Sequence, residues 1–132
     1  MKAIAMLEAV AAIVISLSTQ QLKAYDLQGG LIYAAPVSTG REGSSTPTGE
    51  FVIGSKYSRT DLVGADYRVN LPNVMCLEGG ELIPDRYCIH PTPEPSVPLG
   101  TPRSHGCVRT SDATARWLFL RASIGTPVSI IN

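Results

Sequence analysis

The chain has 132 residues, of which 44% are apolar and 17% charged. That length suits one domain with a real core, and the composition excludes a disordered polyelectrolyte. Lys and Arg total 11, as do Asp and Glu, so a net charge of zero offers no electrostatic footprint for nucleic acid. Twelve glycines and ten prolines against 6% aromatics point to many turns and short strands.

The N-terminus carries Lys2 and then a short apolar stretch that Glu8 interrupts. It matches a secretory signal poorly, so residues 1–12 read as a leader or cloning-derived segment, with the domain over 13–132. The uncharged run Ala9–Leu17 is too short to span a bilayer, which needs about 20 residues. Ile13–Leu17 is β-branched and reads as a strand, followed by a half-exposed strand over Gln20–Leu27. Gly29-Gly30 is a hairpin turn signal, and Leu31–Val37 is the returning strand. Ser38–Gly49, rich in Ser, Thr, Gly and Pro, reads as a loop, and Phe51–Ile53 opens another strand. Tyr57–Gly80 has no clear period; within and beyond it, Asn73–Leu77 and Arg86–His90 form two strands joined by a polar turn. Five prolines between Pro91 and Pro102 make that stretch an extended loop. A helix follows, with Ser111 as N-cap, Asp112 in its first turn, Arg121 near its end, and an apolar face at Ala113, Trp117 and Leu120. Gly125 stops it, and Pro127–Ile131 is a last strand. The expected fold is mainly β: a β-sandwich or partly closed barrel with one helix near the C-terminus.

Chemistry concentrates in Arg103-Ser104-His105-Gly106-Cys107-Val108-Arg109. A cysteine beside a histidine and an arginine, ahead of a helix N-terminus, is placed to favour thiolate. His90 lies at the end of an expected strand. If the proline loop folds back, His90 meets Cys107 and can take the thiol proton. The amides of Gly106 and Cys107 are then the candidate oxyanion donors.

Cys76 and Cys88 face each other if their two strands pair as a hairpin. They form either a cross-strand disulfide, given an oxidising compartment, or two buried thiols. Cys88 and His90 are two apart and share a strand face, so Cys88 approaches Cys107 too. A rival arrangement has Cys76, Cys88, Cys107 and a histidine holding zinc, although paired C-x₂-C spacing is absent.

Ser-His-Gly-Cys-Val-Arg, with a histidine well upstream, resembles the signature of the L,D-transpeptidase catalytic domain (the YkuD-type family). Ile15–Tyr25, Val37–Gly40, Thr46–Phe51, Ile89–His90 and Gly125–Val128 resemble further family segments in the same order. The resemblance implies Cys107 as nucleophile and His90 as its base, oriented by the carbonyl of the next residue. That residue is Pro91 here, where the family usually has Gly or Ser; proline keeps its carbonyl and loses only its N–H. By the same resemblance, His105 is a structural or oxyanion-side partner. Ser104 supports the motif loop, and Arg109 holds a substrate carboxylate or that loop. Asp85, Arg86 and Tyr87 help line the cleft, and Tyr57–Gly80 supplies a lid.

The implied partners are donor and acceptor stem peptides of peptidoglycan, together with carbapenem-type β-lactams. No metal or organic cofactor is implied, a monomer is expected, and the implied location is periplasmic or cell-wall associated. The alternatives are an L,D-carboxypeptidase, with water as acceptor, and a non-catalytic module that binds cell-wall peptide.

Overall fold

The computed structural model describes residues 8–132. The first seven residues of the expected leader lie outside that range. Its remainder belongs to the fold: Val10 is buried in the core, its N–H donates to the Arg121 carbonyl, and β1 (Ala12–Ser16) opens before residue 13. The expected boundary at 13 therefore moves earlier, because a buried valine with a paired amide is part of the packed domain.

Among the described residues the elements continue with β2 (Gln21–Tyr25), β3 (Leu31–Pro36), β4 (Gly49–Val63) and β5 (Arg68–Glu78). Then come β6 (Cys88–Pro91), β7 (Val108–Thr110), α1 (Asp112–Arg121) and β8 (Pro127–Ile131). The fold is mainly β with one helix near the C-terminus. Its strands form one mixed sheet, in the order β3-β2-β1-β8-β4-β5-β6-β7, rather than two separately paired sheets. The sheet is not closed. Its two ends touch just past β3, where Ser38 and Arg109 exchange backbone hydrogen bonds of 3.0 and 2.9 Å.

Strict alternation explains the first strands. Ile13 and Ile15 in β1, Leu22 and Ala24 in β2, and Val128 and Ile130 in β8 all point into the core. A fully buried Ile or Leu contributes roughly 1.5–3 kcal/mol by leaving water. β5 ends in a continuous buried run, Val74–Leu77, because it is covered on both faces. Met75 and Leu77 join the main core, while Val74 and Cys76 join a second cluster with Leu71 and Cys88. Helix α1 packs against β5 and β6 on the main-core side.

The helix starts as expected, with Ser111 Oγ accepting from the Thr114 N–H. Its inward face differs from the expected one. Thr114, Ala115 and Leu118 are buried, whereas Ala113 and Leu120 are exposed. Trp117 lies on the flank, stacked on Tyr33 at 4.2 Å. Lys56 Nζ donates to the carbonyls of Phe119 and Ala122, both at 2.6 Å, and so closes the helix C-terminus before Gly125 is reached.

Between Phe51 and Glu78 the chain forms one long hairpin, β4–β5, closed at Val63↔Arg68. Its tip projects beyond the core, over the loop that precedes β7.

Candidate active site

β6 and β7 run parallel, with His90 opposite Arg109 and Pro91 opposite Thr110. Parallel neighbours need a crossover, and Thr92–Cys107 supplies it. The crossover's end is held by backbone. Arg103 N–H and Ser104 N–H both donate to the Thr39 carbonyl, and Arg41 N–H donates to Ser104 O at 3.0 Å. Thr39 is fixed in turn by buried Gln20, whose side chain donates to Thr39 Oγ1 and accepts from Thr39 N–H.

Within the motif, Ser104 Oγ donates to the Cys107 carbonyl and accepts from Gly106 N–H at 3.1 Å. Thr46 Oγ1 donates to the Gly106 carbonyl at 2.6 Å. Gly106 has φ of 133°, and a Cβ there would lie 2.9 Å from the Tyr87 ring, so this turn requires glycine. Of the two amides expected as oxyanion donors, Gly106 N–H is thus already engaged by Ser104.

His90 is 5% exposed, and its Nδ1 lies 2.6 Å from the Pro91 carbonyl. A carbonyl only accepts, so Nδ1 carries the proton and Nε2 keeps its lone pair. Burial drives the His90 pKa down to about 4, against the pull of that carbonyl and with help from the Arg109 charge.

Cys107 is the free cysteine of the described residues and is half-buried. Its Sγ accepts from Cys88 N–H at 3.2 Å and faces the Arg86 carbonyl at 3.6 Å. Burial pushes the thiol pKa up; the Cys88 amide and Arg109 only partly oppose it. Neither group is therefore charged at rest, which corrects the thiolate expected from the sequence. α1 starts where expected, but β7 lies between its N-terminus and Cys107.

Arg109 is 9% exposed and pairs with Glu94 of the proline loop at 2.8 Å, so its guanidinium ties that loop down. His105 turns outward: its ring stacks on Tyr67 at 4.5 Å, and Nε2 is 3.7 Å from Asp66 Oδ1. Asp85 accepts from Ser55 and Tyr57 hydroxyls of β4, holding the loop before β6. Cys76 and Cys88 are register partners with their sulfurs joined, which removes both from the zinc alternative.

Two cavities meet at Cys107. One, of about 590 Å³, is lined by Tyr57, Asp61, Asp66, Asp85 and Arg86. The other, of about 320 Å³, is lined by Val69, His90, Pro93, Glu94 and Arg109. Leu62, Tyr67, His105 and Cys107 border both. The Tyr67–His105 stack is thus part of the lining that the two cavities share. A Cβ on Gly64 would lie 1.9 Å from the Tyr67 ring, so this tip turn needs glycine to seat the tyrosine. Glu94 did not emerge from the sequence, and Gln20 and Thr46 in the family-like segments, like Asp66 and Tyr67 in the expected lid, were given no individual role there. Gly64-Ala65-Asp66, between Leu62 and Val69, is the turn signal that would have located the hairpin tip.

The site thus places a half-buried cysteine where two cavities meet, and a carbonyl-oriented histidine on the wall of one of them. The family model for the L,D-transpeptidase catalytic domain matches residues 11–130, and the chain belongs to that family. L,D-transpeptidase 2 of Mycobacterium tuberculosis (strain CDC 1551 / Oshkosh) is 26% identical over 112 residues, which are 80% of this chain and 28% of that protein. The L,D-transpeptidase LdtMt1 in complex with imipenem superposes with a TM-score of 0.82 at 21% identity, covering 94% of this chain and 59% of that one. A Cys-to-Ser mutant of an Enterococcus faecium L,D-transpeptidase superposes at 0.81 and 21%, covering 94% and 50%. The chain thus spans less than a third of the curated relative and 50–59% of these two solved chains.

Proposed function

We propose that this domain is a peptidoglycan L,D-transpeptidase with Cys107 as nucleophile and His90 as general base. The observation that carries the reading is the pinned imidazole: Pro91 O fixes Nδ1–H, leaving Nε2 as a base beside the cavity that Cys107 also lines. With both groups neutral at rest, proton transfer accompanies attack rather than preceding it. Cys107 Sγ adds to the carbonyl of the third stem residue as Nε2 takes the thiol proton. Negative charge develops on the carbonyl oxygen, where the Cys107 amide is the candidate donor. Collapse breaks the peptide bond. The imidazolium gives its proton to the departing amine of D-alanine, and a thioester remains.

An acceptor amine then attacks the thioester and forms the 3→3 cross-link. Two cavities meeting at one sulfur support transfer over hydrolysis, since donor and acceptor can occupy different sides. Three aspartates on the wall of the larger cavity suit an incoming amine. Arg109, occupied by Glu94, holds the loop rather than a substrate carboxylate. The relative solved with imipenem supports acylation of this chain by carbapenem-type β-lactams. A peptidoglycan substrate supports a periplasmic or wall-associated location.

The test is intact mass after incubation with a disaccharide-tetrapeptide, with Cys107→Ala as control. A thioester adduct or released D-alanine with the wild type alone supports the reading, and an added amine then separates transfer from hydrolysis. A folded wild type that forms no adduct and turns nothing over would sink it in favour of a peptide-binding module.

A further inference from the structure

Both partners of the Cys107 sulfur come from one short run of chain. Arg86 presents its carbonyl and Cys88 its N–H. The run Gly79–Arg86 ahead of β6 is mostly exposed, and β6 has four residues. The cross-link between Cys76 and Cys88 closes this segment onto β5 across 12 residues.

The register explains why the Cys88 amide reaches sulfur. Leu77 N–H donates to Tyr87 O, so the next pair along, Cys76 with Cys88, is a non-hydrogen-bonded pair of the antiparallel ladder. The Cys88 N–H is therefore turned away from β5, toward β7. The parallel ladder with β7 begins one residue later, at Ile89↔Val108, and Cys107 sits just before it. Sulfur occupies the place of the missing backbone acceptor. Cys107 also packs against the cluster that contains Cys76 and Cys88, on the face away from the main core.

We propose that the Cys76–Cys88 disulfide is a positioning element for the nucleophile: by tying β6 to β5 it holds the Cys88 N–H on the Cys107 sulfur. The inference rests on the reading of Cys107 as nucleophile. A hydrogen bond to sulfur favours thiolate over thiol, so losing it raises the energy of the negative charge that develops on sulfur as its proton leaves. Cys76 borders the larger cavity, which gives a small reductant a way in. In the reduction, a dithiol loses two electrons and two protons and becomes its cyclic disulfide. The S–S bond breaks, and Cys76 and Cys88 become thiols. The site is then redox-dependent although Cys107 itself is untouched.

The test is the pH–rate profile for alkylation of Cys107 by iodoacetamide, followed on its own peptide by mass. It compares the oxidised full chain with Cys76→Ala/Cys88→Ala. The expected result is one alkylated cysteine in the oxidised protein. In the double variant the alkaline limb moves to higher pH, and alkylation at pH 8 falls about three- to tenfold. Wild type reduced with a dithiol and desalted should show the same shift at Cys107 and recover on reoxidation; this arm stands if the double variant does not fold. Superimposable Cys107 profiles in all folded forms would overturn the proposal, as would three alkylatable cysteines in protein taken from an oxidising compartment without reductant. Iodoacetamide needs no substrate, so failure to acylate from tetrapeptide counts against the functional reading and leaves this profile to be judged separately.

Discussion

The β1–β2–β8 side of the sheet and the β6–β7 side are both buried, but by different means. On the first, Ile13, Ile15, Leu22, Val128 and Ile130 alternate inward and meet apolar neighbours. On the second, His90, Ser104, Arg109 and Thr110 are buried polar groups, each with a hydrogen-bond partner. Apolar packing is tolerant, because any side chain of similar volume restores most of it. A buried hydrogen bond has one right partner, and an orphaned group costs about 1–3 kcal/mol. The first region therefore tolerates repacking, whereas the second depends on keeping each particular partner.

The largest expected effect divides the two regions directly. His90→Gln should lower acylation by a carbapenem, per folded molecule, on the order of 10²–10⁴-fold. Leu22→Ala should do the reverse, losing about 2–5 kcal/mol in denaturant unfolding with acylation per folded molecule unchanged. If Leu22→Ala cut the acylation rate as His90→Gln does, the separation would be lost.

A smaller effect comes from pH. His90 takes its proton near 4 in the folded chain, against 6.5 for a free imidazole. Between those values the unfolded chain binds the extra proton, so stability falls as pH drops through the window, by on the order of 3 kcal/mol. His90→Gln should remove that component from the unfolding free energy. The acid limb of carbapenem acylation should likewise lie well below pH 6.5. A limb at 6.5 would mean that the imidazole is solvated rather than buried.

What was legible in the sequence follows the same division. β1, β2 and β3 were readable because alternation and Gly29-Gly30 carry the signal locally. The start of α1 was readable from Ser111, but its inward face was not. Trp117 and Leu120 attracted the apolar stripe, whereas the buried positions are small or polar (Thr114, Ala115) apart from Leu118. The outer part of the β4–β5 hairpin was illegible, since it leaves the core and its strands alternate only weakly between half-buried and exposed. β7 was missed because three residues are too few for a period, and they sit against a motif and a cap. At the site, residue types identified Cys107 and His90 as the pair to examine. Their protonation was not legible, because burial is a tertiary property and here it outweighs the neighbouring charge. Arg109's engagement with Glu94 and the outward turn of His105 depend on the crossover loop and the hairpin tip, whose placement no local signal sets.

The position of β8 bears on how the chain is made. It lies between β1 and β4, pairing parallel with one and antiparallel with the other, yet follows every other strand in sequence. During synthesis the β1–β2–β3 meander and the β4–β5 hairpin are complete while the β1 and β4 edges still lack their shared neighbour. Two open ladders must wait for the same strand, and until it arrives each is a template for pairing with another chain. Premature termination before Pro127 would thus leave a sheet split through its middle, although every candidate catalytic residue had already been translated.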